Sequence, residues 1–330
     1  MKLGKLENVY YQTCKDADKL SYFHVYQTVK ERLSECYFPY LHDVLPFYTD
    51  HGALHIDRIE ERLYGLLKPH LPRLGNPRNR LIDAENLSLL MHAVLWHDVG
   101  NMYGRADHAR NMVKLFDQVA GGGFLYDEQH RDLVKSIAKG HSGTGSIEQE
   151  VDQPTVKLYD YVIYPRFLCA LLRFADELDE DRRRVQPLVK DRVPDNSKPY
   201  WFLCECTDAI VPGYVEDFSV VKNIVKVKAR MTPVDVHRKL CSKPVEMTGI
   251  QYYVARLEKM NEERKYCNPF LAEHSALYFT PVDTISLELD IRNAGSAALM
   301  TIPYDFNDKT PSGGFFKEPK VAELLAQCKT

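Results

Sequence analysis

Apolar positions between about residue 20 and residue 185 recur at three- and four-residue intervals, the spacing that gathers side chains on one face of an α-helix. Ile56, Ile59, Leu63, Leu66 and Leu67 form one such stripe, preceded by the cap-forming Thr49 and Asp50 and stopped by Pro69. Asp83 caps a second helix with Leu87, Leu90, Met91, Val94 and Leu95 inward and an end near Gly100. Asp107 opens a third over Met112, Val113 and Phe116, closed by the run Gly121, Gly122 and Gly123. Asp127 opens a fourth over Leu133, Val134 and Ile137, closed by Gly140. Pro165 opens a fifth at its first turn, with Phe167, Leu168, Leu171, Leu172 and Ala175 inward.

The pattern then changes. A charged run over 179–184 leads into a proline-bounded stretch over 187–199. Beyond it, 224–228 and 285–291 have strand character, the second alternating cleanly at a period of two. Between those strands, 245–265 keeps helical spacing. Together these elements predict a mainly α protein with a helical domain over 1–185, a linker near 186–198 and a smaller α+β domain over 199–330. A chain of 330 residues is long for a single core, which agrees with that division. Residues 200–206 (YWFLCEC) read as strand-like, with Cys204 and Cys206 as reduced core thiols rather than a metal knuckle. There is no internal repeat and no low-complexity tract.

Charge narrows the function. With 43 Lys and Arg against 46 Asp and Glu the net charge is −3. That balance excludes a generic polyanion binder, so nucleic acid is not an expected partner. No run approaches the roughly 18 apolar residues of a membrane span. The first twenty residues lack the apolar core of a secretory leader, and the eight cysteines are scattered. The expectation is a cytoplasmic protein with reduced thiols and no membrane contact.

The candidate chemistry lies where the helical stripes end. His55 stands four before Ile59, Asp98 four beyond Val94, His108 four before Met112, and Asp176 four beyond Leu172. Residues four apart share a helix face, so each of these polar side chains continues an inward-facing stripe. His97 precedes Asp98, and His141 follows the Gly140 that closes the fourth helix. A buried carboxylate without a partner costs several kcal/mol, so Asp98 and Asp176 require a cation, a metal or a proton. One histidine on an apolar face is ordinarily a satisfied core residue. Five segments each sending a ligand-type side chain toward one core make the pattern of a metal site. His42 and Asp43, a second His-Asp pair, precede Pro46, lack matching partners and read as ordinary.

His55 with Ile59, the run Trp96, His97, Asp98, Val99 and Gly100, and then Phe174, Ala175 and Asp176 resemble the HD-domain metal-dependent phosphohydrolase superfamily. His108 and His141 resemble the two extra histidines of its binuclear, six-ligand members. The resemblance covers about residues 45–185. It implies an all-helical HD bundle in which His55, His97, Asp98 and Asp176 hold one divalent ion. Asp98 would bridge to a second ion held by His108 and His141, and Mn, Fe, Mg, Ni and Zn all suit such ligands. The implied activity is hydrolysis of a nucleotide or other small phosphate ester or diester by a metal-activated water, with Asp98 as the water-orienting carboxylate. One departure matters. Many members carry a lysine after the glycine, whereas this chain has Asn101, so charge for a phosphate comes from elsewhere or the substrate differs. The Gly-Tyr-Pro signature of the superfamily's cyclic-di-GMP phosphodiesterases is absent.

His51, one turn before His55 if that helix reaches back, is a candidate acid or base, with a capping role beside Gly52 as the plainer reading. Arg105, Arg110, Lys139 and Arg182 flank the ligands as candidate phosphate contacts, although each alone reads as a solvated charge. Arg105, which leads directly into His108, is the best placed of them. Two other functions fit the same residues. A di-iron oxygenase resembling myo-inositol oxygenase uses the same ordered ligands, and a nucleotide-sensing module would use the site for binding and the second domain for output. That second domain carries no motif. His237 and His274 are isolated, and Gly313 and Gly314 lack the spacing and lysine of a phosphate loop. Packing, subunit contact and gating all suit it, so a homo-oligomer is compatible with the sequence.

Overall fold

A computed structural model describes residues 3–44, 51–68, 70–71, 82–105, 107–119, 127–143, 145–217, 220–242, 245–273, 279–293 and 298–328. The expected cap at Thr49 and Asp50, the stop at Pro69, the glycines at 121–123, His274 and the side chains of His42 and Asp43 lie outside that set. The protein is mainly α, with a small mixed sheet. It divides into two units. Met1–Pro46, Asp50–Asp176 and Cys267–Thr280 form the first, and Phe47–Thr49, Glu177–Tyr266 and Pro281–Thr330 the second.

The first unit runs through α1 (Lys5–Asp16), α2 (Leu20–Cys36), α3 (Phe38–Val44), α4 (Ala53–Leu67), α5 (Ala84–Trp96), α6 (His108–Val119), α7 (Glu128–Lys139) and α8 (Ile147–Glu150). A short antiparallel hairpin, β1 (Val156–Leu158) and β2 (Tyr161–Ile163), precedes α9 (Pro165–Glu177). Helix α5 is buried along its whole length and packs against α1, α2, α4 and α7. Its sequence explains this, because a helix apolar on nearly every face is stable only at the centre of a bundle. Its polar members are bonded. The Asn86 side chain donates to the Val162 carbonyl (3.0 Å) and accepts from the Tyr164 amide (3.1 Å), and Tyr10 Oη donates to Ser88 Oγ (2.9 Å).

The helix starts follow the caps read from the sequence. Asp83 and Asp127 accept the backbone N–H groups of Asn86 (2.8 Å) and His130 (3.0 Å), and Pro165 is the first residue of α9. Asp107 likewise stands directly before α6, in the left-handed region (φ 57°). Its carbonyl accepts the Asn111 N–H (2.9 Å), the first bond of the helical ladder. A 3-10 turn, Val99–Tyr103, links α5 to α6. There Gly100 is required by close approach, since a Cβ would stand 1.8 Å from the His108 carbonyl oxygen and 2.5 Å from the Met112 nitrogen.

The second unit contains α10 (Lys198–Cys206), β3 (Thr207–Asp217), β4 (Val220–Met231), α11 (Pro233–His237), β5 (Lys239–Ser242) and β6 (Val245–Thr248). After these come α12 (Gly249–Ala272), whose last residues belong to the first unit, then β7 (Val282–Arg292), β8 (Ala298–Phe306), α13 (Gly314–Lys317) and α14 (Pro319–Gln327). Its main sheet has the order β3-β4-β7-β8, with β4 and β7 parallel and the outer pairings antiparallel. Both central strands alternate. Val225, Val227, Ala229 and Met231 are buried beside Ile285, Leu287, Leu289 and Ile291, while Lys226, Lys228 and Glu288 face outward.

Two local expectations fail here. Residues 200–206 form most of α10 rather than a strand, because Pro199 starts a helix there. Trp201 and Cys204 then fall one turn apart into a cluster with Val185 and Val193. Residues 245–248 pair as β6 with β5, and the helix begins only at Gly249. Among the described residues no helix is long and apolar enough to cross a membrane.

Candidate metal centre

Five segments of the first unit deliver ligand-type side chains to one place. His51 and His55 lie one turn apart at the entry of α4, His97 and Asp98 follow α5, and His108 is the first residue of α6. His141 comes directly after the Gly140 cap of α7, and Asp176 sits in the last turn of α9. The ligand atoms of three groups lie within 4.8 Å of one another: His51, His55 and Asp98; His55, His97 and Asp176; and Asp98, His108 and His141.

Asp98 divides the cluster between its two oxygens. Oδ2 lies 2.9 Å from His51 Nδ1, 3.5 Å from His55 Nε2 and 3.7 Å from His97 Nε2. Oδ1 lies 3.6 Å from His108 Nε2 and 3.7 Å from His141 Nε2. Asp176 Oδ1 completes the group of His55 and His97, 3.4 Å from His55 Nε2 and 3.9 Å from His97 Nε2.

Ring orientation makes the cluster electron-rich. His97 Nδ1 donates to the Val94 carbonyl (2.8 Å), His108 Nδ1 to the Arg105 carbonyl (3.2 Å) and His141 Nδ1 to the Ala138 carbonyl. Each ring is thus bonded to the carbonyl three residues back, which places its proton on Nδ1 and leaves an Nε2 lone pair directed into the cluster. His108 Nε2 and His141 Nε2 then face each other at 3.2 Å. A cation satisfies that arrangement. Two nitrogens bound to one ion at about 2.0–2.1 Å stand about 3 Å apart.

The charge balance points the same way. Burial pushes His97 down to about 4 and also lowers His108, so both rings are neutral at neutral pH. Burial alone would raise both carboxyls. The imidazoles of His97, His141 and His51 overcome it for Asp98, and those of His55 and His97 overcome it for Asp176, so both sit below the usual carboxylate range. Two carboxylates held below their usual range beside the neutral rings of His97 and His108 make a site suited to a divalent cation.

The flanking cations are placed differently. Arg105 and Arg110 are exposed, Arg105 leading into α6 and Arg110 on it. Lys139 Nζ lies 2.6 Å from Glu150 Oε2, and Arg182 Nη1, in the second unit, lies 2.9 Å from Asp208 Oδ1, so both are ion-paired. Two further residues matter here that sequence reasoning did not single out or weigh fully. Arg173, buried one turn before Asp176, donates to the carbonyls of Ser142 (3.1 Å) and Gly145 (2.8 Å) and so holds the loop that leaves His141. Asn101 is fully buried, and neither polar atom of its side chain has a hydrogen-bond partner among the described residues. An arginine on an otherwise apolar stripe was the available signal for the first. For Asn101, only burial reveals the orphaned amide.

A His, a His-Asp pair and a distal Asp converging from separate helices define an HD-type domain. The chain belongs to the HD-CE family, whose model matches residues 45–212, just over half of its length. Neither a curated protein nor a solved structure matches it.

Proposed function

We propose that this chain is a metal-dependent phosphohydrolase acting on a nucleotide or another small phosphate ester or diester. Its ions would be held by His55, His97, Asp98 and Asp176 on one side and by Asp98, His108 and His141 on the other. The observation that carries this reading is the pair of Nε2 atoms of His108 and His141 facing one oxygen of Asp98 while three other histidines face its second oxygen. Divalent ions bound there supply Lewis acidity and a nucleophile at neutral pH. With two ions against two carboxylates the site carries a net charge of about +2, suited to an anionic substrate. Asp98 orients the reacting groups between the two halves. His51, bonded through Nδ1 to Asp98, is the residue proposed to move a proton to or from the substrate. Arg105 is the proposed phosphate contact; Lys139 and Arg182 would first have to leave Glu150 and Asp208.

Elemental analysis of the purified protein, followed by a screen of nucleotides, phosphomonoesters and phosphodiesters with Mn²⁺, Fe²⁺, Mg²⁺, Ni²⁺ or Zn²⁺, tests this. At least one substrate should release phosphate, and Asp98→Ala should lower that rate by about a thousandfold or more. No turnover with any pairing would sink the hydrolase reading.

One observation favours a second reading. Asn101 is neutral where many HD proteins carry lysine, and two of the flanking cations are neutralised by carboxylates. A di-iron oxygenase acting on a polyol or phosphonate is that reading, and with an uncharged polyol it needs less positive charge than a phosphohydrolase. It predicts two irons in the purified protein, a mixed-valent EPR signal and O₂ uptake. Colourless protein holding only Mg or Mn would exclude it.

A further inference from the structure

Asp176, the ligand contributed by α9, sits one residue from the end of its helix, where helices fray. The next residue, Glu177, is gripped within the second unit by two cations of α12. Lys259 Nζ lies 3.1 Å and 2.9 Å from the two carboxylate oxygens of Glu177, and Arg256 Nη2 lies 3.5 Å from Oε1. Arg256 also donates to the buried Glu180 and lies over the Tyr200 ring, 5.7 Å from its centroid. Tyr200 in turn accepts from Arg184 Nη1 (3.0 Å), which donates as well to the Asp179 carbonyl (2.7 Å). In the turn that follows Asp176, Glu177 and Glu180 are therefore bonded to α12 and the Asp179 carbonyl to Arg184.

We infer that Arg256 and Lys259 are positioning residues for Asp176. By holding Glu177 and Glu180 they keep the last turn of α9 wound, so that the Asp176 carboxylate stays where His55 and His97 meet it. Arg256 and Lys259 thus act without being ligands, through the peptide bond that joins Glu177 to Asp176. The inference rests on the metal reading proposed above.

Electrostatics and positioning predict opposite signs, which makes the test decisive. Removing a positive charge near a cation site strengthens cation binding, whereas loosening a ligand weakens it. The measurement is Mn²⁺ binding to the full chain by calorimetry, with the melting temperature of the metal-free protein followed in parallel. Arg256→Met should weaken Mn²⁺ binding about tenfold, Lys259→Met by a smaller factor, and Arg256→Lys should bind nearly as the unaltered chain does. A merely structural role would lower the melting temperature and leave the Kd unmoved. The Lys259 side chain is 52% exposed, so its variant keeps the test open even if Arg256→Met does not fold. Unchanged or tighter binding in these variants overturns the inference. An unaltered chain that binds no Mn²⁺ overturns instead the metal reading beneath it.

Discussion

His108 and His141 meet through their Nε2 atoms because each Nδ1 is committed to a carbonyl of its own segment. The two rings serve only one oxygen of Asp98, so on the proposed two-ion reading the cluster separates into halves that would be emptied independently. His141→Ala should lower the metal content from two equivalents toward one, by elemental analysis, while the half built on His55, His97 and Asp176 stays loaded. Loss of both equivalents, or of neither, would contradict a two-site centre. The six candidate ligands were legible in the sequence because each lies on, or directly beyond, an apolar stripe, and the bland reading that suits one such residue does not explain five segments doing so together. Arg173 and Asn101 were not legible as contributors. Their meaning depends on which carbonyls, or which lack of partners, surround them after folding.

At the scale of elements, the glycine that follows the His-Asp pair acts through packing. No Cβ fits at Gly100 while His108 keeps its place, because the first turn of α6 lies directly on the 3-10 turn. Gly100→Ala should destabilise the protein by about 1–3 kcal/mol, the usual cost of overpacking, visible as a lower melting temperature. It should also remove the metal equivalent that depends on His108, although no ligand has changed. Retention of both equivalents at unchanged stability would show that α6 is free to slide. Long helices with a consistent stripe and a recognised cap, such as α5, α7 and α9, were readable from the sequence. The seven residues YWFLCEC were not, since a short apolar run fits a strand or a buried helix equally well, and Pro199 and the packing of Trp201 and Cys204 decided between them.

For the whole molecule, buried histidines outside the candidate metal cluster contribute to the response to acid, as do Glu60 and Glu177, which burial pushes up to about 7. Burial pushes His92 down to about 3 and His70 down to about 4, against ordinary values near 6.5. Both are neutral in the folded protein over a range where the unfolded chain takes up protons, so their contribution is intact above about pH 6.5 and is lost as pH falls toward those depressed values. For the fully buried His92 the slope is about 1.4 kcal/mol per pH unit. His130 works in the opposite sense. Burial pushes it down, but its hydrogen bonds with Glu85 and Asp127 outweigh that and raise it, so its contribution is present in acid and lost as pH rises through its raised value. His92→Gln isolates one contribution: between pH 7 and pH 5 the urea midpoint of the metal-free variant should fall less, or rise more, than that of the metal-free unaltered chain. Parallel midpoint curves for the two proteins would contradict this account.

Local chemistry written along the chain settled which side chains compete for the interior. Amphipathic period, caps and the offset of each polar residue from its stripe identified the helices and brought His55, His97, Asp98, His108, His141 and Asp176 forward as one set. Folding alone decided what that set could become. Ring orientation depends on carbonyls three residues back, the division of Asp98 between two groups depends on five segments arriving together, and the pairing of Lys139 and Arg182 depends on acids distant in sequence. Periodicity reports which face of an element turns inward; the distances and protonation that make chemistry arise only when separate elements are packed against one another.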